Sequence, residues 1–273
     1  MTTAGNAYLC VIVMEVRMSG HQVGKVALVT GGNRGLGKDI ALSLARMGMA
    51  VALTYNVNRQ EADDVVGEIE ASGGKALALQ FDVSDVASFD AFLERLTAAM
   101  RASFGADRID FLVNNAGIGR AIPIDQLTEH AFDTFSDVHF KGVLFLTQKA
   151  LRMTNDGGGV VFVTAAADRY NVPSYAVYAS CKGAVEVFSR YVAKEYGPRG
   201  IRSNTVAPGG IVTDFNNAAI RDNPKLQEML VAQTPMGRLG EPHDIGGLVA
   251  LLCSDDAKWL TGQRLEATGG FAL

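Results

Sequence analysis

From Val26 onward the chain alternates short apolar runs with longer stretches of helical periodicity. Val26-Ala27-Leu28-Val29-Thr30 reads as a strand covered on both faces, as in a parallel sheet. Further strands are predicted at Ala50–Tyr55, Ala76–Phe81, Phe111–Val113, Val160–Thr164, Ile201–Ala207 and Arg264–Ala267. Between them, helices are predicted over Lys38–Met47, up to Gly73, over Asp85–Phe104, Thr128–Val138 and Phe140–Met153, through Tyr178 to Tyr196, and over Glu241–Leu252. Gly157-Gly158-Gly159 is expected to turn the chain into the fifth strand, and Pro224–Arg238 reads as a helical and irregular insertion. Seven strands alternating with six helical connections predict one doubly wound parallel α/β sheet with helices on both faces.

Composition narrows this picture. At 273 residues and 48% hydrophobic residues the chain can bury one large core, so a single domain over 21–273 is expected. A net charge of −4 leaves no basic surface suited to nucleic acid. The three cysteines, Cys10, Cys181 and Cys253, are far apart, and no Cys or His lies at metal-ligand spacing. That pattern fits a reducing cytoplasm without disulfides and a site without metal. The apolar run Leu9–Met14 is too short to span a membrane. Residues 1–20 are expected to be a disordered extension, with Met18 a possible alternative start and a short strand or interface arm the other option.

Candidate chemistry begins after the first strand. Thr30-Gly31-Gly32-Asn33-Arg34-Gly35-Leu36-Gly37 joins strand to helix, where free N–H groups, the helix dipole and close backbone approach together suit a pyrophosphate. The second strand ends Thr54-Tyr55-Asn56-Val57-Asn58-Arg59, without the acid that would bind the ribose 2′-hydroxyl of NAD. Arg34 and Arg59 could instead balance an extra phosphate, which favours NADP, with NAD still possible; both could equally be solvated surface charges. Asp82 follows the third strand, where it could hold an adenine amino group or cap the next helix. Asn114-Asn115-Ala116-Gly117 follows the fourth and could lie against a cofactor or simply form a turn.

Tyr178 and Lys182 are four residues apart, one helical turn on one face. A neighbouring ammonium is expected to lower the tyrosine pKa and make the phenol a usable proton donor and acceptor near neutral pH. Taken alone, this pair is also common on ordinary exposed helices.

The glycine motif, Asn114-Asn115-Ala116-Gly117, Tyr178-x-x-x-Lys182 and Pro208-Gly209 followed by Thr213 occur in an order that resembles the short-chain dehydrogenases/reductases over residues 24–273. Within that family the chain resembles 3-oxoacyl-carrier-protein reductase and glucose dehydrogenase-like members. The resemblance implies a Rossmann fold and a cytoplasmic homotetramer or homodimer that moves hydride between NAD(P) and a small carbonyl or secondary alcohol. By position, it implies Tyr178 as general acid and Lys182 as its electrostatic tuner and ribose ligand. It places cofactor against Gly31, Asn33, Arg34, Gly35, Leu36 and Gly37 in the first turn, and against Asn56, Asp82 and Val83. Asn115, Ala116, Gly117, Pro208, Gly209, Ile211 and Thr213 complete that surface.

Two positions depart from the family pattern. Ala165 stands where the family has a serine that hydrogen-bonds the substrate oxygen, a loss expected to cost ~10²–10³ in rate. Thr164 should face away unless the strand end bulges, and Ser174, one turn before Tyr178, is another candidate. His139 replaces an asparagine that orients a proton-returning water, and it could hold the same water with a pKa nearer working pH or be a packed histidine. The leading expectation is an NADP-preferring oxidoreductase, altered at Ala165. A non-catalytic dinucleotide-binding sensor is the alternative. A lid over Gly210–Arg238 mixes apolar and polar side chains and leaves the substrate open.

Overall fold

A computed structural model describes residues 22–273, so the extension expected at 1–20 lies outside the described residues. The strands are β1 (Val26–Val29), β2 (Ala50–Tyr55), β3 (Lys75–Gln80), β4 (Ile109–Asn114), β5 (Thr154–Val163), β6 (Arg202–Pro208) and β7 (Arg264–Ala267). They form one parallel sheet in the order β3-β2-β1-β4-β5-β6-β7. The helices are α1 (Gly35–Arg46), α2 (Arg59–Ala71), α3 (Phe89–Phe104), α4 (Glu129–Ser136), α5 (Gly142–Ala150), α6 (Ala167–Tyr170), α7 (Ala176–Tyr196), α8 (Phe215–Ala218), α9 (Pro224–Ala232) and α10 (Pro242–Leu252).

Alternation along each strand divides the core. Ala27 and Val29 join Val51, Val113 and Val161 against Ile40 and Leu44 of α1 and Ile245 and Val249 of α10. Val26 and Leu28 point to the other face, where Leu112, Val160 and Phe162 meet Phe92 and Leu96 of α3, Leu146 of α5 and Val185 and Val192 of α7. Burial on both faces is why these strands read as unbroken apolar runs.

Three boundaries differ from expectation. Helix α1 begins at Gly35, inside the glycine motif, rather than at Lys38. Strand β5 starts at Thr154, and Gly157-Gly158-Gly159 lies within it rather than before it. Its pairing jumps from Ile109↔Thr154 to Phe111↔Gly159, and the glycines absorb the irregularity because a Cβ on Gly158 would fall 2.1 Å from the Asp110 carbonyl oxygen. The helices expected on either side of His139 are one continuous rod, with a π-helical turn over Asp137–Lys141 between α4 and α5. A π turn displaces the ladder at a single point, which interrupts the apolar period as a break between helices would.

Gly142 follows that turn and packs where a Cβ would lie 1.8 Å from the Val83 carbonyl oxygen, whereas Gly183 within α7 has open space around it. Gly142→Ala is therefore expected to destabilise the fold by about 1–3 kcal/mol through overpacking. Gly183→Ala should stabilise it by about 0.5–1 kcal/mol through helix propensity. Urea unfolding of the two variants checks the opposite signs.

Candidate active site

Strand β1 lies between β2 and β4, so the chain crosses away from the β1–β4 pair in both directions and leaves a crevice at their carboxyl ends. A cavity of about 1000 Å³ opens there. The glycine turn forms one wall. Gly31 and Gly35 both take left-handed φ, +63° and +53°, and the Gly31 N–H donates to Thr54 Oγ1 at 3.2 Å. Gly37 sits so close beneath that a Cβ would lie 2.0 Å from the Gly31 carbonyl oxygen. Arg34, the N-cap of α1, makes no side-chain cap, and the first turn contains no acid. Among the described residues no side chain caps this helix N-terminus at the cavity wall, which fits a bound pyrophosphate.

Asn115 stitches this turn to β4. Its Nδ2 donates to the carbonyl oxygens of Thr30 and Gly31 at 2.9 and 3.1 Å, and Thr30 Oγ1 accepts from the N–H groups of Asn115 and Ala116, both at 3.0 Å. Asn33, Leu36, Asn56, Asp82, Val83, Ala116, Gly117, Pro208, Gly209, Ile211 and Thr213 all line the same cavity. Asp82 Oδ1 also accepts from Ser84, through the backbone N–H at 2.8 Å and the hydroxyl at 2.7 Å, so it shapes the following turn as well.

The two arginines separate. Arg34 lines the cavity, but Arg59 pairs with Asp63 at 3.2 Å on the exposed side of α2 and does not reach it. The helix begins at Arg59 and turns its side chain outward, which corrects the expectation for that residue. The first turn of α2 instead delivers Glu61, whose Oε2 accepts from Asn33 Nδ2 at 2.6 Å. The second strand's end has no acid, yet an acid one helical turn later reaches the turn.

Tyr178 and Lys182 share one face of α7 and both are buried, at 8% and 6% exposure. Lys182 Nζ donates to the carbonyl oxygen of Val163, the last residue of β5, at 2.8 Å, and lies 5.7 Å from the Tyr178 ring centroid. Burial lowers the Lys182 pKa to about 8. The same burial, with the nearby Tyr175 and Asp168, pushes the Tyr178 phenol well above its ordinary value, contrary to the lowering expected from sequence. Taking a phenolate out of water outweighs a cation that is itself desolvated and turned toward a carbonyl.

The family profile described as enoyl-(acyl carrier protein) reductase matches residues 31–272. An uncharacterized oxidoreductase of Methylorubrum extorquens is 42% identical over 247 residues, covering 90% of this chain and 97% of that one. The hydroxynaphthalene reductase-like protein Arp2 of Metarhizium brunneum is 36% identical over 258 residues, covering 90% and 94%. Among solved structures, the angucycline C-6 ketoreductase LanV with bound NADP superposes with a TM-score of 0.88 at 34% identity, covering 93% of this chain and 97% of that one. LanV is also solved with NADP and rabelomycin, at a TM-score of 0.84 and 33% identity, covering 93% and 98%.

The chain is a short-chain dehydrogenase/reductase.

In this short-chain dehydrogenase/reductase Ala165 is buried in the apolar cluster that holds Tyr178, Val177 and Cys181, and it lines the cavity with a methyl group. Thr164 Oγ1 turns away, to Glu186 at 3.1 Å and the Val206 carbonyl oxygen at 3.2 Å. Although Thr164 also borders the cavity, that hydroxyl is engaged behind the wall, and Ser174 does not line the cavity. The loop after β5 is held from behind by Arg264, which reaches Asp168 and Glu186, each at 2.6 Å, and the Ala165 carbonyl oxygen at 3.4 Å.

His139 sits in the π turn, edge-on to Tyr178 with ring centroids 5.0 Å apart. Its Nε2 lies 2.8 Å from the Ile118 carbonyl oxygen, which assigns the ring proton to Nε2 and leaves Nδ1 buried without a partner among the described residues. Burial first, and Lys182 second, hold its pKa well below the usual histidine value. It is neutral at working pH rather than titrating there, which corrects the sequence expectation. Sequence reasoning also missed Tyr175, which lies in the cavity wall together with Asn216 of the expected lid. The spacing of Tyr175, three residues before Tyr178 on a predicted helix, carried that signal.

The shift at Lys182 fixes the sign of a pH effect. Between about pH 8 and the unfolded lysine value near 10.4 the unfolded chain binds a proton that the folded chain does not, so stability rises with pH across that window. Comparing urea unfolding of the unchanged chain and Lys182→Met at pH 8 and pH 10 isolates the term. The unchanged chain should gain on the variant as pH rises, and a constant difference would mean that Lys182 stays charged in the fold.

Proposed function

We propose that this short-chain dehydrogenase/reductase is an NADP-preferring carbonyl reductase for a flat, largely apolar ketone, with Tyr178 as proton donor. The observation that carries this is a single cavity shared by the uncapped α1 N-terminus, the buried Tyr178–Lys182 pair and an aromatic and aliphatic wall that includes Tyr170, Tyr175, Phe215, Leu226 and Phe271. The hydroxynaphthalene reductases among the relatives, named for a fused aromatic substrate, support the same substrate class.

The residues divide the work. The glycine turn and α1 would hold the pyrophosphate, and Arg34 would meet the 2′-phosphate. Bound reduced cofactor would supply hydride to the carbonyl carbon. Tyr178, kept protonated by burial, then has its proton in place for the substrate oxygen as negative charge grows there. The Lys182 ammonium stabilises the phenolate left behind, and its own lowered pKa makes it ready to release a proton in turn. The apolar wall excludes water and strengthens these interactions.

Three measurements test this. NADPH oxidation should be faster with bicyclic aromatic ketones than with short aliphatic ones, by about tenfold or more in kcat/KM, the scale that a few buried methylenes provide. Tyr178→Phe should lower kcat ~10²–10⁴-fold. Arg34→Ala should weaken NADPH binding by about tenfold, roughly 1.4 kcal/mol, while barely changing NADH. Calorimetric titration of both cofactors reads the last of these, and equal NADPH and NADH affinities in the unchanged chain would remove the preference. A chain that binds NADPH but turns over no carbonyl would favour a cofactor-sensing role instead.

A further inference from the structure

A carbonyl oxygen that accumulates charge during reduction needs more than one donor, and in this wall the usual second position is a methyl group. Ala165 cannot donate, Thr164 is engaged with Glu186 and Val206, and Ser174 lies outside the cavity lining. One hydroxyl stands beside Tyr178 on the same helix face. Tyr175, the N-cap of α7, precedes Tyr178 by three residues, and the two rings meet edge to face with centroids 6.0 Å apart. Tyr175 packs against the same apolar cluster that contains Ala165 and Tyr178.

The lid reaches this hydroxyl. Asn216 Nδ2 donates to Tyr175 Oη, which leaves the phenolic proton itself free. Asn216 is delivered by a turn in which Asn216, Asn217 and Ala218 all take left-handed φ, between +53° and +56°. Such backbone persists where surrounding contacts over-determine it, and it clusters at ligand clamps. The opposite loop permits the approach, because a Cβ on Gly119 would lie 2.6 Å from the Phe215 ring and 2.8 Å from the Asn216 β-carbon. Burial keeps the Tyr175 phenol protonated across the working range.

We propose that Tyr175 donates the hydrogen bond to the substrate carbonyl oxygen that Ala165 cannot, and that Asn216 of the lid positions the phenol to do so. This rests on the reductase reading above and deepens it. Two phenols then meet the oxygen. Tyr178 transfers its proton, while Tyr175 keeps its own and stabilises the developing charge. Because Asn216 belongs to the lid, the second donor is complete only with the lid in the position described.

Tyr175→Phe removes one oxygen atom and leaves the ring packing. With a bicyclic aromatic ketone and saturating NADPH, kcat should fall ~10²–10³-fold, the loss typical of one oxyanion donor, while KM and NADPH affinity change by less than about threefold. Ala165→Ser should raise kcat about tenfold or more further in the Tyr175→Phe background than in the unchanged chain, a coupling that a purely structural role would not give. Asn216→Ala should lower kcat by about tenfold alone and add nothing in the Tyr175→Phe background, because positioning and positioned residues act as a unit. Turnover by Tyr175→Phe within about threefold of the unchanged chain, or an equal gain from Ala165→Ser in both backgrounds, overturns the inference and leaves the reductase reading standing. No turnover of any carbonyl by the unchanged chain overturns both.

Discussion

The site depends on the burial of Lys182. Its ammonium leaves water to sit behind Tyr178, where the carbonyl oxygen of Val163 at the end of β5 is its hydrogen-bond partner at 2.8 Å. A cation can be held there because α7 packs its Val185 and Val192 face on the sheet and brings Tyr178 and Lys182 to the carboxyl ends of the central strands. Burial sets the proton chemistry of this corner: the lysine loses part of its hold on its proton, the Tyr178 phenol keeps its own, and His139, buried and beside Lys182, is held neutral.

A second constraint concerns how the surrounding walls are kept in register. Asn115 and Thr30 tie the ends of β1 and β4 together where the chain departs in opposite directions. Arg264 ties the loop after β5 to α7 and β7 through Asp168, Glu186 and Glu266, the last at 2.9 Å. Three carboxylates around one guanidinium form a network whose rupture at Arg264 would leave buried charge uncompensated. The Ala165 wall is thus fixed from behind even though it offers the substrate no hydrogen bond. The lid closes the cavity opposite that wall, where its Asn216 meets Tyr175.

Much of this architecture was legible because periodicity reports burial. Strands buried on both faces had to be apolar throughout, and Val26–Val29 and Arg202–Pro208 were found close to where that pattern put them. The helix start in the glycine motif was read three residues late, because Gly35 and Gly37 have poor intrinsic helix propensity and are retained for close packing. The π turn at His139 could not be distinguished from a gap between helices. Site residues on the motifs and the lid lie around one cavity, but Glu61 and Tyr175 entered it through tertiary folding. The direction of the Tyr178 shift was misjudged for a related reason: the spacing of Tyr178 and Lys182 shows that they are neighbours but says nothing of how deeply both are buried.

The chemistry of the site turns on a substrate oxygen held between two phenols in a cavity shaped for a dinucleotide. A crystal structure of the chain with NADP and a bound bicyclic aromatic ketone would show that oxygen. Tyr178 Oη and Tyr175 Oη are each expected within about 3.2 Å of it, with the Ala165 methyl making only van der Waals contact. A ketone oxygen more than about 4 Å from Tyr178, or one held by other donors, would contradict this arrangement.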